Sequence, residues 1–419
     1  MSKYIIQGGN ALEGSIPVKG AKNSVLPLLA ASILTQEPIL LQNCPHIADV
    51  ENMMRILREL GCRTHWQGDS IFVDASDVTN GEIPSALAGE LRSSIFLLGA
   101  LLSRLKWAKV AYPGGCDIGM RPIDIHLRGL RELGVQIKEE AGYLLCEVAS
   151  DARTADIVLD LPSVGATENL MMASVFCKGK TVLRNCAKEP EIVDLQDFLN
   201  AMGASVRGAG GSVIVIEGVD ELHGTVHTPI PDRIVAGTYL IGAAMCGGNL
   251  TLERVRAEHI ASLLAKLSKT ACKITTGNGK INLISKGRLN SLDWIETTFY
   301  PGFPTDLQTQ VLTMQTIARG TCVIVENIFE TRFRPVGELR KMGADITVRD
   351  KVAVVRGVES LHAANVTAAD LRGGASLVLA AMAAHGKSEV REIRHIDRGY
   401  EDMSVLLRTV GVDIQRKDE

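Results

Sequence analysis

One mark recurs six times along the chain and limits what it can fold into. Helix-like stretches end at Leu60-Gly61-Cys62, Leu133-Gly134-Val135, Met202-Gly203-Ala204, Thr270-Ala271-Cys272, Met342-Gly343-Ala344 and Val410-Gly411-Val412, with successive marks 73, 69, 68, 72 and 68 residues apart. Even spacing along a whole chain signals a structural repeat, and a period this long holds a complete supersecondary unit. Six units fill the 419 residues, which is more chain than one ordinary core accommodates.

Each unit carries the same order of signals. An apolar helix rich in small residues comes first, over 20–34, 91–105, 165–177, 233–246, 306–318 and 372–384. A turn and a short strand follow, as at 180–184 and 321–325. A second helix, such as 194–202, has apolar residues three and four apart and stops at the marking glycine. Two strands close the unit, as at 204–206 and 212–216, joined by Gly208-Ala209-Gly210-Gly211. The reading is a βαβαββ unit. Small residues on every side of 236–245 place the first helices inside and the sheets outside. Three units around one helical bundle make a domain, so the expected fold is α/β, with two inside-out domains of three βαβαββ-type repeats each. Repetition alone also suits a solenoid.

Composition excludes several classes. Lysine and arginine number 45 against 48 acids, a net −3, so the chain has no global attraction for nucleic acid or an anionic membrane. Nine cysteines, with no Cys-x-x-Cys pair, argue against a disulfide framework and a structural zinc site. The start Met-Ser-Lys-Tyr lacks a secretory pattern, and apolar runs such as 375–384 are too short to span a bilayer. A reducing cytoplasm is the expected location, with no metal and no cofactor.

The unusual residues sit at matched places, the starts of the inner helices. These read Gly20-Ala21-Lys22-Asn23, Leu91-Arg92-Ser93-Ser94, Ser163-Val164-Gly165-Ala166-Thr167, Pro231-Asp232-Arg233, Pro304-Thr305-Asp306 and Asp370-Leu371-Arg372-Gly373-Gly374. Four of the six contain Lys or Arg. A helix start already attracts anions through its free N–H groups and dipole, and a cation strengthens it. Six such starts converging from two domains would make one positive cleft. In the second unit, Pro113-Gly114-Gly115-Cys116-Asp117-Ile118-Gly119-Met120-Arg121-Pro122 reads as a mobile lid with a reactive thiol at Cys116, whereas most of the other eight cysteines read as inert. In the last unit His395-Ile396-Asp397-Arg398-Gly399-Tyr400-Glu401 offers Arg398 as an anion clamp. His395 and His126 read as structural donors. Two partial motifs fail: Ser174 and Ala381 stand where a phosphate loop needs its first glycine, and Val213 stands at the third glycine of a dinucleotide fingerprint.

Seven segments together resemble the UDP-N-acetylglucosamine enolpyruvyl transferases (1-carboxyvinyltransferases) of bacterial cell-wall synthesis, over essentially the whole chain. They are Gly20-Ala21-Lys22-Asn23, Pro113-Gly114-Gly115-Cys116, Arg121-Pro122-Ile123-Asp124, Ser163-Val164-Gly165-Ala166-Thr167, Glu189-Pro190-Glu191-Ile192-Val193-Asp194, Phe303-Pro304-Thr305-Asp306 and His395-Ile396-Asp397-Arg398-Gly399-Tyr400-Glu401. The resemblance implies the enolpyruvyl transferase fold, with residues 22–229 forming the domain that carries the cysteine lid, and 1–21 with 230–419 forming a discontinuous C-terminal domain. It also implies the substrates, phosphoenolpyruvate and UDP-N-acetylglucosamine, and the reaction: addition of the sugar 3-hydroxyl to the donor, then elimination of phosphate.

By the same resemblance Cys116, Asp306 and Lys22 are catalytic. Lys22 and Arg121 suit the phosphate, Arg332, Arg372 and Arg398 the carboxylate, and Asp306 is the base for the sugar hydroxyl. Cys116 is proton donor or adduct former and the residue that fosfomycin alkylates. Asn23, Arg92, Arg121, Pro122, Ile123, Asp124, Ile125, Ser163, Val164, Gly165, Asp306 and Ile328 contact the UDP-sugar. Val235, Ala48 and Phe96 depart from common members, where glutamate, lysine and tryptophan occur. Enolpyruvylshikimate phosphate synthase, similar in fold and donor, is the enzyme alternative, and the cysteine lid and Arg-Pro-Ile-Asp segment favour the UDP-sugar. The oligomeric state stays open.

Overall fold

The computed structural model of the protein describes residues 2–111, 123–148 and 154–418. The chain divides into two compact units. Among the described residues one is continuous and runs from Gly20 to Ile230; the other is split, joining residues up to Lys19 with those from Pro231 onward.

The third repeat displays the unit in full. Strand Asp156–Val158 leads into inner helix Val164–Ser174, strand Lys180–Arg184, outer helix Pro190–Ala201, and strands Ser205–Arg207 and Val213–Glu217. In its sheet the first two strands run parallel, Asp156 opposite Val182, and the last two add antiparallel partners, with Lys180 opposite Glu217 and Ser205 opposite Glu217. Six sheets of this four-stranded kind occur among the described residues, all with the same strand order. Along Lys180–Arg184 buried residues alternate with exposed or half-buried ones, as a strand covering a core on one face requires.

Inner helices form the centre of each domain. In the continuous domain, Phe96–Leu105 packs against both Lys22–Ala31 and Val164–Ser174, and in the split domain Arg233–Cys246, Gln308–Gln315 and Leu371–Ala383 all touch one another. Leu28, Leu101 and Leu170 are fully buried in the first core, Leu240, Val311 and Leu379 in the second. Each such side chain contributes about 1.5–3 kcal/mol of burial. The helix at Gln308–Gln315 departs from the apolar reading, because Gln308, Thr309, Gln310, Thr313 and Gln315 are all buried in it.

The six marks share one backbone conformation. Gly61, Gly134, Gly203, Gly343 and Gly411 have φ between 87° and 103°, and Ala271 adopts 76° at the one mark that lacks glycine. The left-handed conformation ends each outer helix and turns the chain into the next strand.

Repeats are not closed within their own stretches of sequence. The fourth strand of the last repeat is Lys3–Gln7, inserted between Lys387–Arg391 and Asp413–Lys417 with Lys3 opposite both Arg391 and Lys417. Leu12–Pro17 is the first strand of the fourth repeat, parallel to Gly248–Glu253, and Val226–His227 serves the first repeat in the same way beside Ile39–Leu41. The expectation that each unit closes with its own two strands is corrected for the last repeat. A junction repeated after the fourth strand verifies the equivalence: Gly218, Gly357 and Gly8 donate to the carbonyls of Gly179, Gly320 and Gly386 at 2.9, 2.9 and 3.0 Å. At Gly357 a Cβ would stand 1.6 Å from the Ala318 carbonyl oxygen, so no side chain fits there. Among the described residues no helix is long and apolar enough to cross a membrane.

Candidate active site

In the continuous domain, Lys22 opens the first inner helix, is 9% exposed, and pairs with Asp49 at 2.5 Å. Asp49 lies in the first turn of the outer helix Ala48–Glu59 and is itself 1% exposed. The lysine expected as a bare phosphate ligand therefore has a buried counter-ion, which sequence reasoning missed. Asn23 is half-buried beside it. Asp194 accepts from Ser24, from His227 Nε2 at 2.9 Å and from the Ile230 N–H at 3.2 Å, and so ties the second helix of the third repeat to the end of the domain.

Ser163 caps the third inner helix, its hydroxyl accepting from the Ala166 N–H at 3.3 Å. Val164 and Gly165 are half-buried, and the Gly165 Cα lies so close to the His126 ring that a Cβ would meet it at 3.2 Å. His126 is buried and shares a 3.0 Å hydrogen bond with Asn169, the structural role expected for it. Ile123 precedes the outer helix Asp124–Glu132 and is buried; Asp124 is exposed and Ile125 half-buried. Contacts between this helix and Val164–Ser174 thus bring 123–125 and 163–165 to one end of the domain. Arg92 begins the short turn Arg92–Ile95. Cys116, Arg121 and Pro122 lie outside the described residues.

The split domain holds a second cluster. Asp306 stands in the turn Thr305–Leu307 before the fifth inner helix. Its Oδ1 accepts from Arg332 Nη2 at 2.7 Å, and Arg372 Nε lies 3.6 Å from the same atom. Arg332 and Arg372 are 2% and 4% exposed. Two guanidinium groups this deeply desolvated are tolerated because a carboxylate and neutral acceptors surround them. Arg372 Nη1 also donates to the Tyr400 hydroxyl at 3.3 Å. Burial pulls the Arg372 pKa down, but Tyr400, Asp306 and Asp232 outweigh it and leave the group above its ordinary value. Arg398 is half-buried in the turn before Tyr400; burial first, then Arg394 and Arg398, hold His395 below the ordinary histidine value. Ile328 is half-buried in the segment leading to Arg332.

The expected bare helix starts need correcting. Asp232 accepts from the N–H groups of Ile234 and Val235, and Asp370 from that of Gly373. Two starts therefore carry their own carboxylate caps, and the positive character there comes from side chains such as Arg372. Among the described residues no group of His, Cys, Asp and Glu is arranged to hold a metal.

Residues 6–406 match the family model for EPSP synthase (3-phosphoshikimate 1-carboxyvinyltransferase). In three dimensions the chain is similar to the enolpyruvyl transferase NikO from Streptomyces tendae, with 26% identity, a TM-score of 0.88 and 99% of each chain covered. It is similar in fold to an EPSP synthase from Acinetobacter baumannii, at 16% identity and a TM-score of 0.78 over 100% of each chain. Six-repeat architecture and cation-rich helix starts together are those of an enolpyruvyl transferase. In sequence the chain is 52% identical to UDP-N-acetylglucosamine 1-carboxyvinyltransferase 2 of Caldanaerobacter subterraneus, covering 99% of this chain and 100% of that one. It is 44% identical to the UDP-N-acetylglucosamine 1-carboxyvinyltransferase of Halothermothrix orenii, covering 99% and 100%. The chain belongs to the UDP-N-acetylglucosamine 1-carboxyvinyltransferase family.

Proposed function

We propose that this enzyme transfers the enolpyruvyl group of phosphoenolpyruvate to the 3-hydroxyl of UDP-N-acetylglucosamine, releasing phosphate and supplying a peptidoglycan precursor. The observation that carries the reading is a carboxylate on a helix start, Asp306, clasped by two buried arginines in a chain that is 52% identical to a carboxyvinyltransferase over its full length. A donor bearing both a carboxylate and a phosphate needs several cations, and an acceptor hydroxyl needs a base.

Protonation at C3 of the donor lets the sugar oxygen attack C2; the tetrahedral adduct then loses phosphate and a C3 proton. Asp306 takes the proton of the 3-hydroxyl. Arg332, Arg372 and Arg398 hold the donor carboxylate, and Lys22 and Arg121 its phosphate. Planar guanidinium groups suit the carboxylate because they can grip it with two parallel bonds. Cys116 serves as the thiol that protonates the donor or captures it covalently. The backbone at 123–125 and 163–165, with Asn23, Arg92, Pro122 and Ile328, receives the UDP-sugar. The enzyme works in the cytoplasm on these two small molecules, in two domains divided near residues 20 and 230.

The test is direct. Phosphate release is measured with phosphoenolpyruvate and either UDP-N-acetylglucosamine or shikimate 3-phosphate as acceptor. Turnover with the UDP-sugar supports the reading, and turnover with shikimate 3-phosphate alone overturns it.

A further inference from the structure

Beside Asp306 lies a carboxylate that the mechanism above does not use. Glu326 follows strand Thr321–Val325 and is 3% exposed. Its Oε1 accepts from the Thr297 hydroxyl at 2.9 Å and from the N–H groups of Ile328 and Phe329 at 2.8 and 3.0 Å. Its Oε2 accepts from the Thr305 hydroxyl at 3.0 Å. Thr305 adjoins Asp306, and its oxygen also meets Arg332 Nε at 3.2 Å.

Proton accounting fixes the direction of each bond. An arginine Nε–H can only donate, so Thr305 must accept from Arg332, and its single proton is left for Glu326. Thr297 likewise accepts from the Asn327 N–H at 2.9 Å and gives its proton to Glu326. Two backbone N–H groups can only donate. Oε1 thus accepts three bonds and Oε2 the fourth, so both oxygens of the Glu326 side chain are placed as acceptors. The bonds form a one-way relay in which Arg332 donates both to Asp306 and to Thr305, and Thr305 donates to Glu326. A second path runs through Phe329, whose N–H is held by Glu326 and whose ring lies 5.2 Å from the Arg332 guanidinium carbon.

We propose that Glu326 is a positioning residue for the transfer, acting through Thr305 to hold Arg332 against Asp306 and through the 328–329 backbone to shape the acceptor side of the site. The inference rests on the reading of Asp306 and Arg332 given under Proposed function. Both buried ends of the relay are charged, so a break in the middle leaves Arg332 able to shift, and a small displacement of a group that positions reactants is expensive in rate.

Four variants test it, with turnover expressed per folded molecule after a melting curve. Glu326→Gln keeps the shape but turns an N–H toward Thr305, and Thr305→Val removes the hydroxyl without changing volume. Each is expected to lower kcat by about 10- to 100-fold with KM for UDP-N-acetylglucosamine within twofold of the wild type. Thr305→Ser keeps the relay and stays within twofold in kcat. The double variant Glu326→Gln/Thr305→Val falls no further than the worse single one, since both cut the same path. A kcat for Glu326→Gln or Thr305→Val within twofold of wild type, an inactive Thr305→Ser, or losses that multiply in the double variant would overturn the proposal. A purely structural role would lower the melting temperature and leave kcat per folded molecule intact, which also overturns it. The two failures are separable: a wild type silent with both substrates removes the functional reading, whereas an active wild type with indifferent variants removes only Glu326.

Discussion

Replacing Asp306 by asparagine keeps the volume of the side chain and removes its charge. Two separate losses are expected. At 2.7 and 3.6 Å from Oδ1, Arg332 and Arg372 lose their shared counter-ion. Breaking a fully buried pair costs about 3–5 kcal/mol, but the Asp306 side chain is 27% exposed, and water reaching it reduces the cost to about 1–3 kcal/mol. The amide can still accept one bond from Arg332, which favours the lower end. Turnover suffers more, because a positioned base contributes roughly 10²–10⁴-fold, or about 3–5 kcal/mol of barrier. Phosphate release and equilibrium urea unfolding on the same preparation separate the two effects, and isothermal titration with UDP-N-acetylglucosamine shows whether the acceptor still binds. The expected result is a folded variant that binds the nucleotide sugar and turns over at least a hundredfold more slowly. A kcat within threefold of wild type would refute the assignment of Asp306 as base, and unchanged stability would refute the account of the buried arginines.

Burial pushes the thiols of Cys62, Cys146, Cys246 and Cys322 up to about 12 and that of Cys186 to about 11, and Cys44, Cys177 and Cys272 are buried as well, so rapid alkylation of native protein at pH 7.5 is expected at Cys116 alone; rapid labelling that persists in Cys116→Ser would disprove this. Glu168 is fully buried in the third inner helix, where desolvation first, then Glu191 and Glu189, raise its pKa well above the ordinary 4.5. A raised folded-state value means that its stability contribution is whole below pH 4.5 and is lost as pH climbs toward the raised value. Glu168→Gln should remove that dependence, so its urea midpoint should gain on the wild type between pH 5 and pH 8, and a constant difference would refute the reasoning. Gly357→Ala drives a methyl group against the Ala318 carbonyl and should cost about 1–3 kcal/mol or more, read as a fall in the melting temperature; an unchanged temperature would mean that the junction yields freely.

The repeat was legible because each outer helix must stop and reverse, and a left-handed residue does this at a fixed place. Ala271 marks the limit of that signal: it takes the same conformation without being glycine, and only the spacing reveals it. Strands such as Lys180–Arg184 and Thr321–Val325 were readable from local alternation. The pairing of Lys3–Gln7 with strands near the other end of the chain was not, because nothing local distinguishes a strand that pairs nearby from one that pairs far away. Asp306 and Arg372 were readable at helix starts, whereas Arg332 came only from what the family resemblance implies. Glu326 was invisible for the opposite reason: an acid just after a strand reads as ordinary solvent-facing polarity, and only the donors packed around it reveal its use. Asp49 was hidden likewise, since its partner Lys22 lies on a different helix.

The placement of the first strands also bears on how the protein is made. Lys3–Gln7 leaves the ribosome long before its neighbours at Lys387–Arg391 and Asp413–Lys417. At about 5–20 residues per second, that interval is roughly 20–80 s, during which the continuous domain has all of its own strands and can finish. The early segment must wait as an exposed, sticky ribbon, and the second domain closes only when its distant partner strands arrive, like a belt fastened after the coat is on.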